Sequence, residues 1–462
     1  MQRRLAAVSL LAVVAATGPD WSGYLHGPAH SSAQFGDSAI TVSSVGSLHA
    51  LWTFKAGPAT QPGAPGPKLD ASPTVVGGRV YVGSRTGIFY ALDAASGAVV
   101  WSRQLDFGSS TACVAKGIVG TATVANDPVG GAATVYAPGA HYLYALDPAT
   151  GAQRWRTSIG PATADGEARW FNWSSPTVVG GTIAMGLAAS CESNKIRGGV
   201  VQLAQHTGAV LHTYYAVPAG KVGASVWSSV AGDGTSYWAT TGDPDTAKVY
   251  DAFSIVRLSA TTLAKQEKWT ASIPATQDLD FGSSPTFFSA TIGGTATDLV
   301  GACNKNGVFY AWRRTSLAAG PVWQRQVGAS GGTGNGACIT SAAYDGPGST
   351  LYVAANQTTV NGSTVPGAVR ALDPATGAVR WTTALACLPD GSPALDATTH
   401  VLAVPLYGCT APAKPGVVLL NATTGAILRT LPTTKPVFAQ PVFAEGKLFV
   451  ADESGALTAY GP

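Results

Sequence analysis

Four short stretches of the chain place carboxylates, a lysine and a tryptophan among Gly, Ser and Asn residues. They are CESNKIRGG around Glu192 and Arg197, VWSSVAGDG and TTGDP around Trp227 and Asp243, QDLDFGSS around Asp280, and NKNGVFYAW around Lys305. Carboxylate oxygens gathered in a loop suit a hard cation such as calcium. A carboxylate can also accept a proton from a reacting group, and a fixed ammonium can stabilise a developing anion. Each stretch taken alone has a plainer reading. Glu192 can pair with Lys195 or Arg197 on a loop, and Trp227 can pack in a core. Asp243 suits a turn, Asp278 and Asp280 can bond loop backbone, and Lys305 can sit at a solvated hairpin tip.

Other chemistries find no support. The 7 His residues form no HExxH zinc motif. The Gly-rich stretches GSSTACVAKG and GGTGNGAC lack a following helix, so they do not read as phosphate loops. The 6 Cys residues include no CxxC and no haem-attachment CxxCH. An even set in an exported chain suits disulfides. Cys387 and Cys409 form the expected pair, because they fall in neighbouring strands of one repeat. The other pairings stay open, with free buried thiols as the alternative. A formal charge of +3 without a basic run argues against a nucleic-acid partner.

What must position these residues is a repeat array. ALDPATGAQRW begins at Ala145 and ALDPATGAVRW at Ala371, and weaker copies are anchored at Leu92, Leu203, Leu258, Trp312 and Leu420. In chain order the anchors are 54, 57, 55, 54, 60 and 48 residues apart. Ala-Leu reads as the end of a strand, Asp-Pro-Ala-Thr-Gly as a turn, and the Trp as part of the next strand. Upstream of the tags, SPTVVGGRVYVG-like segments add alternating strands broken by Gly-Gly. A unit of this length holds four strands, and a ring of four-stranded blades hides most sheet edges. The C-terminal GALTAYGP lacks its following Trp strand, and LHALWTFKAG around Trp52 supplies it. The expected fold is all-β: an eight-bladed β-propeller of four-stranded antiparallel blades, the last blade closed by strands from both termini.

At the N-terminus, Arg3 and Arg4 precede an apolar run from Leu5 to Ala16 that is too short to span a bilayer. It reads as an export signal over residues 1–16, with a single propeller from 17 to 462, secreted or periplasmic and with no membrane span in the mature chain. A buried N-terminal strand is the alternative.

The repeated ALDxxTGxxxW phrase, its period and the opening DWSGYLHGPAHSS resemble the pyrroloquinoline quinone (PQQ) repeat propellers. That family includes quinoprotein alcohol dehydrogenases and non-catalytic propellers, among them the outer-membrane barrel assembly lipoprotein. The four stretches resemble the dehydrogenase branch and occur in its order. The short chain and lone Cys113 bring it nearest the polyvinyl alcohol dehydrogenase type.

The resemblance implies PQQ and calcium as cofactors. Glu192, Asp243 and Asp280 would hold calcium, which would act as a Lewis acid on the quinone. Trp227 would lie under the quinone ring, and Lys305, Lys116 and Arg197 would be the cations near its oxygens. Asp280 would take the alcohol proton as hydride passes to the quinone, and Lys305 would stabilise the developing anion. An alcohol would be the substrate, and an external acceptor such as a cytochrome c would take the electrons. The adjacent-cysteine disulfide of many such enzymes is absent here; Cys113 could pair with Cys191 instead. The competing expectation is a non-catalytic propeller that binds protein or polymer. In that case the carboxylates should point apart or into salt bridges rather than converge on one point near the axis.

Overall fold

The computed structural model describes residues 19–37, 39–58, 66–108, 117–160, 169–191, 195–329 and 336–462. The expected leader, Cys113, Lys116 and Glu192 lie outside them. The strands form eight antiparallel four-stranded blades, each meandering in chain order from the axis outward. In blade 8 the three C-terminal strands, Val442–Ala444, Lys447–Ala451 and Ala456–Gly461, are completed by His49–Lys55 from the N-terminal side. The ring is therefore closed by both ends of the chain, as the missing Trp strand predicts.

The repeated phrase is a structural lock. In blade 2 the Asp147 carboxylate accepts the backbone N–H groups of Ala149 and Thr150 at 3.0 Å, and Gly151 turns the chain at φ 70°. Asp373 and Gly377 repeat this in blade 6. The Gly has a second duty, since a Cβ on Gly151 would lie 2.6 Å from Trp101 of the preceding blade. The Trp101 indole N–H donates to the Pro148 carbonyl at 3.0 Å, and Trp323 and Trp381 do the same to Pro374 and Ala422. Trp101, Trp155, Trp323 and Trp381 thus each pack on the bare Gly of the next tag, where any side chain would collide. Trp52 of blade 8 reaches Gly97 and the Ala94 carbonyl of blade 1 in the same way, at 3.2 Å for the hydrogen bond. The lock that joins successive blades therefore also closes the ring.

A second set of bonds runs around the axis. Backbone N–H groups at the entry of the inner strands donate to a hydroxyl of the next blade: Ser72 to Thr121, Thr121 to Ser175, Ser175 to Ser229, Ser229 to Ser284, Ser284 to Ser341, and Ser341 to Ser392. Gln440 of blade 8 donates to the Ser72 hydroxyl, so such bonds link seven of the eight pairs of neighbouring blades. These bonds satisfy backbone groups at the hub, where no further strand is available.

The segment from Trp21 to Gln34 forms a strap across the inner strands. Its carbonyls accept N–H groups from Val75, Val124, Gly232, Phe287, Tyr344 and Leu395, six residues in six different blades. His30 is held within the strap at 2% exposure, with Nδ1 2.9 Å from the Pro285 carbonyl. Burial lowers its pKa from 6.5 to about 4, against a smaller upward pull from that hydrogen bond. The unfolded imidazole takes up its proton first, so the stability His30 contributes above pH 6.5 is lost as pH falls towards 4. The expected loss is about 3 kcal/mol. His30→Asn, which can keep the bond to Pro285, should flatten that part of the pH–stability curve in urea titrations. Parallel curves for the two proteins would contradict this assignment.

Two disulfides are Cys387–Cys409, the expected pair, and Cys303–Cys338. Cys387 and Cys409 face each other in a short ladder beside blade 7, and the bond joins the end of blade 6 to that blade. Cys191 is also disulfide-bonded. No helix among the described residues is long and apolar enough to cross a membrane.

Candidate active site

Strand alternation decides which loops share a face. Within a blade the chain runs away, back, away and back, so the connections between blades and the second turn inside each blade lie together. The tags lie at the other end. The chemical residues all come from the first group. Trp227 precedes the inner strand of blade 4, Asp280 precedes that of blade 5, Asp243 follows Ser236–Thr240 of blade 4, and Lys305 sits in the second turn of blade 5.

These loops surround a cavity of about 540 Å³ on the axis. Its wall follows one register position. Two residues before each member of the hydroxyl ring stand Asp70, Val119, Trp173, Trp227, Gly282, Ile339, Asp390 and Phe438, and all eight line the cavity. In extended chain, residues two apart point the same way, so ring and wall face the axis at successive levels. Tyr24 of the strap lies at the foot of the cavity, where its hydroxyl faces Ser392, Ser341 and Ser284. Burial raises the pKa of this phenol more than those serines lower it.

On one side of the wall three predicted residues meet. The Trp227 indole N–H donates to Asp280 Oδ2 at 2.8 Å, and Lys305 Nζ lies 2.7 Å from Asp280 Oδ1 and 2.6 Å from Asp278 Oδ1. The ammonium is 5.4 Å from the centre of the Trp227 ring. Asp280 is 3% exposed and Lys305 9%. Burial works against the Lys305 charge, but the charge of Asp280 and the bonds to Asp278 and Asp280 outweigh it and hold the pKa above the ordinary lysine value. One carboxylate oxygen from each of Asp243, Asp278 and Asp280 lies within 4.8 Å of the others. Oxygens on opposite sides of one calcium ion stand about 5 Å apart, so this spacing fits a shared ion. The carboxylates therefore converge, and two of them are at the same time paired with Lys305.

Close approach here needs bare backbone. A Cβ on Gly282 would lie 2.6 Å from the far edge of the Trp227 ring, and one on Gly242 would lie 3.1 Å from Asp280 Oδ2. Gly282 thus lets the edge of the Trp227 ring and the Ile339 side chain close against the backbone at the entry of blade 5.

The other predicted residues fall elsewhere. Arg197 stacks its guanidinium 3.9 Å from the centre of the Tyr215 ring and donates Nε to the Val217 carbonyl, away from the cavity wall. Asp243 stands behind Asp280 rather than on the wall. Cys191 lines the cavity, while Glu192 and Lys116 lie outside the described residues. The sequence reading missed Asp70 and Arg85, which form an ion pair of 2.8 Å on the blade 1 side of the cavity. Burial raises the Asp70 pKa, and the charge of Arg85 opposes the rise. It also missed Trp173 and Tyr24. The acid before the inner strand in KLDASPTVV is the signal that could have found Asp70.

Comparison with known proteins agrees with this architecture. Residues 21–277 match the family described as glucose/ethanol/alcohol dehydrogenase, beta-propeller domain, and residues 365–461 match outer membrane protein assembly factor BamB. A polyvinylalcohol dehydrogenase of Sphingopyxis sp. (strain 113P3) is 25% identical over an alignment of 394 positions that covers 74% of this chain and 56% of that protein. The chain thus spans little more than half the length of that relative. The quinohemoprotein alcohol dehydrogenase of Comamonas testosteroni superposes with a TM-score of 0.75 at 17% identity, over 96% of this chain and 80% of that one. A europium-containing methanol dehydrogenase superposes with a TM-score of 0.76 at 14% identity, over 96% and 98%. These structural likenesses concern the fold. With more than half its residues matched by one family, the chain belongs to the PQQ-repeat β-propellers of the glucose, ethanol and alcohol dehydrogenases.

Proposed function

We propose that this chain is an exported quinoprotein that oxidises an alcohol, of secondary or polymeric type, and passes the electrons to an external acceptor such as a cytochrome c. The observation that carries the reading is the meeting of Asp280, Lys305 and Trp227 on the wall of one axial cavity. The similarity to a polyvinylalcohol dehydrogenase supports the substrate class. The leader-like N-terminus and the disulfides support export.

The residues fit the two groups the reading requires. PQQ is a flat tricarboxylate, and the cavity offers indole walls at Trp227 and Trp173 and the cations Lys305 and Arg85. Asp243 and Asp280 would hold calcium, with Glu192 as a further donor. When bound, the quinone supplies the hydride acceptor and calcium polarises it.

The rest of the work falls to the chain. Asp280 Oδ1 and Oδ2 are fixed by Lys305 and Trp227, so the carboxylate keeps one orientation while a lone pair accepts the proton of the alcohol hydroxyl. The Lys305 ammonium, buried and doubly paired, stabilises negative charge that develops beside it without having to be desolvated first. Tyr24 and the hydroxyl ring close the foot of the cavity, which limits the water that could compete at Asp280.

The test is a calorimetric titration of PQQ into metal-stripped protein with and without calcium. Stoichiometric, calcium-dependent binding that weakens in Trp227→Ala supports the reading. Absence of binding at every calcium level would leave the propeller as a scaffold for protein or polymer, the direction in which the BamB match over residues 365–461 points.

A further inference from the structure

The Lys305 side chain is not held by its two carboxylates alone. Its backbone is part of a junction between blades 5 and 6. Lys305 N–H donates to the Asp280 carbonyl and the Lys305 carbonyl accepts Ala337 N–H, both at 3.0 Å. The stem of the side chain lies directly on Gly336, where an added Cβ would stand 2.6 Å from Lys305 Cβ and Cγ. The Cys303–Cys338 bond brackets this contact, two residues before Lys305 and two after Gly336. Both cysteines are fully buried. Cys303 is fixed a second time, with its N–H donating to the Ser283 hydroxyl at 2.6 Å and its carbonyl accepting from the same hydroxyl at 3.0 Å.

We infer that the Cys303–Cys338 disulfide is a positioning element for Lys305. It clamps the second turn of blade 5 onto the loop of blade 6, so that the ammonium stays between Asp278 and Asp280 and over Trp227. Cys387–Cys409 also joins two blades, but both cysteines lie in blades that hold none of the Trp227–Asp280–Lys305 group. It is therefore the natural control. The inference rests on the proposed reading only in giving Lys305 a chemical role; the placement of the side chain can be measured without any cofactor.

The experiment compares the full chain with Cys303→Ser/Cys338→Ser and Cys387→Ser/Cys409→Ser. Each protein is labelled with a trace of acetic acid N-hydroxysuccinimide ester, and acetylation of Lys305 is read by peptide mass spectrometry relative to an exposed lysine, Lys221. Circular dichroism checks that each variant is folded. Loss of the first bond should raise Lys305 labelling by about tenfold or more through local opening of the junction. Loss of the second should leave it within about twofold, since that bond is not part of the junction. Calorimetry with PQQ and calcium then reads the consequence: weaker binding in the first variant and unchanged binding in the second. Equal Lys305 labelling in the two folded variants, whether raised or unchanged, would overturn the inference. If PQQ binds none of the three proteins, the functional reading fails while the labelling result still decides the placement of Lys305.

Discussion

Asp280→Asn should lower the rate of alcohol oxidation by about 10²–10⁴-fold, the range for removal of a general base, while the fold is retained. The geometry gives the reason for a large effect. Asp280 accepts from Trp227 Nε1 through one oxygen and forms an ion pair with Lys305 through the other. An amide has only one acceptor to offer the two donors, so one hydrogen bond must become a donor–donor contact, and the proton acceptor is lost as well. Asp278→Asn is the matched comparison. It also removes a carboxylate partner of Lys305, but its side chain is 53% exposed and does not line the cavity. Its rate should stay within about tenfold of the parent, because an exposed ion pair is worth about 1 kcal/mol or less. Dye-linked turnover of the two variants measures the contrast, and similar losses in both would remove Asp280 from its role as base.

Lys305→Met should lose about 3–5 kcal/mol of unfolding free energy near neutral pH, the cost of leaving a buried charge without its partner. Met fills most of the lysine volume, so the loss reports charge rather than a cavity. Asp278 and Asp280 would then lose the ammonium they share, beside the carboxylate of Asp243. Two consequences separate this from ordinary core damage. Adding Asp278→Asn to Lys305→Met should restore part of the stability by removing one of the repelling charges. Calcium should stabilise Lys305→Met more than it stabilises the parent, because the ion would replace the missing counter-charge. Urea denaturation with and without calcium reads both, and a Lys305→Met protein as stable as its parent would contradict the assignment.

The architecture was readable because its decisive interactions are local. Asp147, Thr150 and Gly151 make their turn within a few residues, and the same turn recurs at Asp373, Thr376 and Gly377. The missing Trp strand of blade 8 could be traced to Trp52 by the same local pattern. The Trp-to-Gly lock between blades is also written in the phrase, though only the structure reveals that the Trp serves the following tag rather than its own.

The site was legible in a different measure. Trp227, Asp280 and Lys305 lie in different connections, and the alternation of strands brings these connections to one face. Arg197 illustrates the limit: a cation in a matching motif still goes where its nearest aromatic ring and carbonyl draw it, here Tyr215 and Val217. The wall positions were available in principle. Trp173, Trp227, Asp390 and Asp70 each stand two residues before a Ser that recurs at the start of an inner strand. That register gains meaning only once the hydroxyl ring is seen. The strap and Tyr24 could not be read at all, because a segment that takes partners from six blades carries no period of its own.

The central claim is that the hub cavity transfers hydride from an alcohol to a bound quinone with Asp280 as proton acceptor. The most direct measurement loads the protein with PQQ and calcium, mixes it without any electron acceptor with propan-2-ol or poly(vinyl alcohol), and follows the quinone absorbance. One equivalent of quinone should be reduced per chain in a single turnover, and Asp280→Asn should slow this step by about 10²–10⁴-fold. Bound quinone that stays oxidised with both alcohols, or is reduced equally fast in Asp280→Asn, would contradict the account.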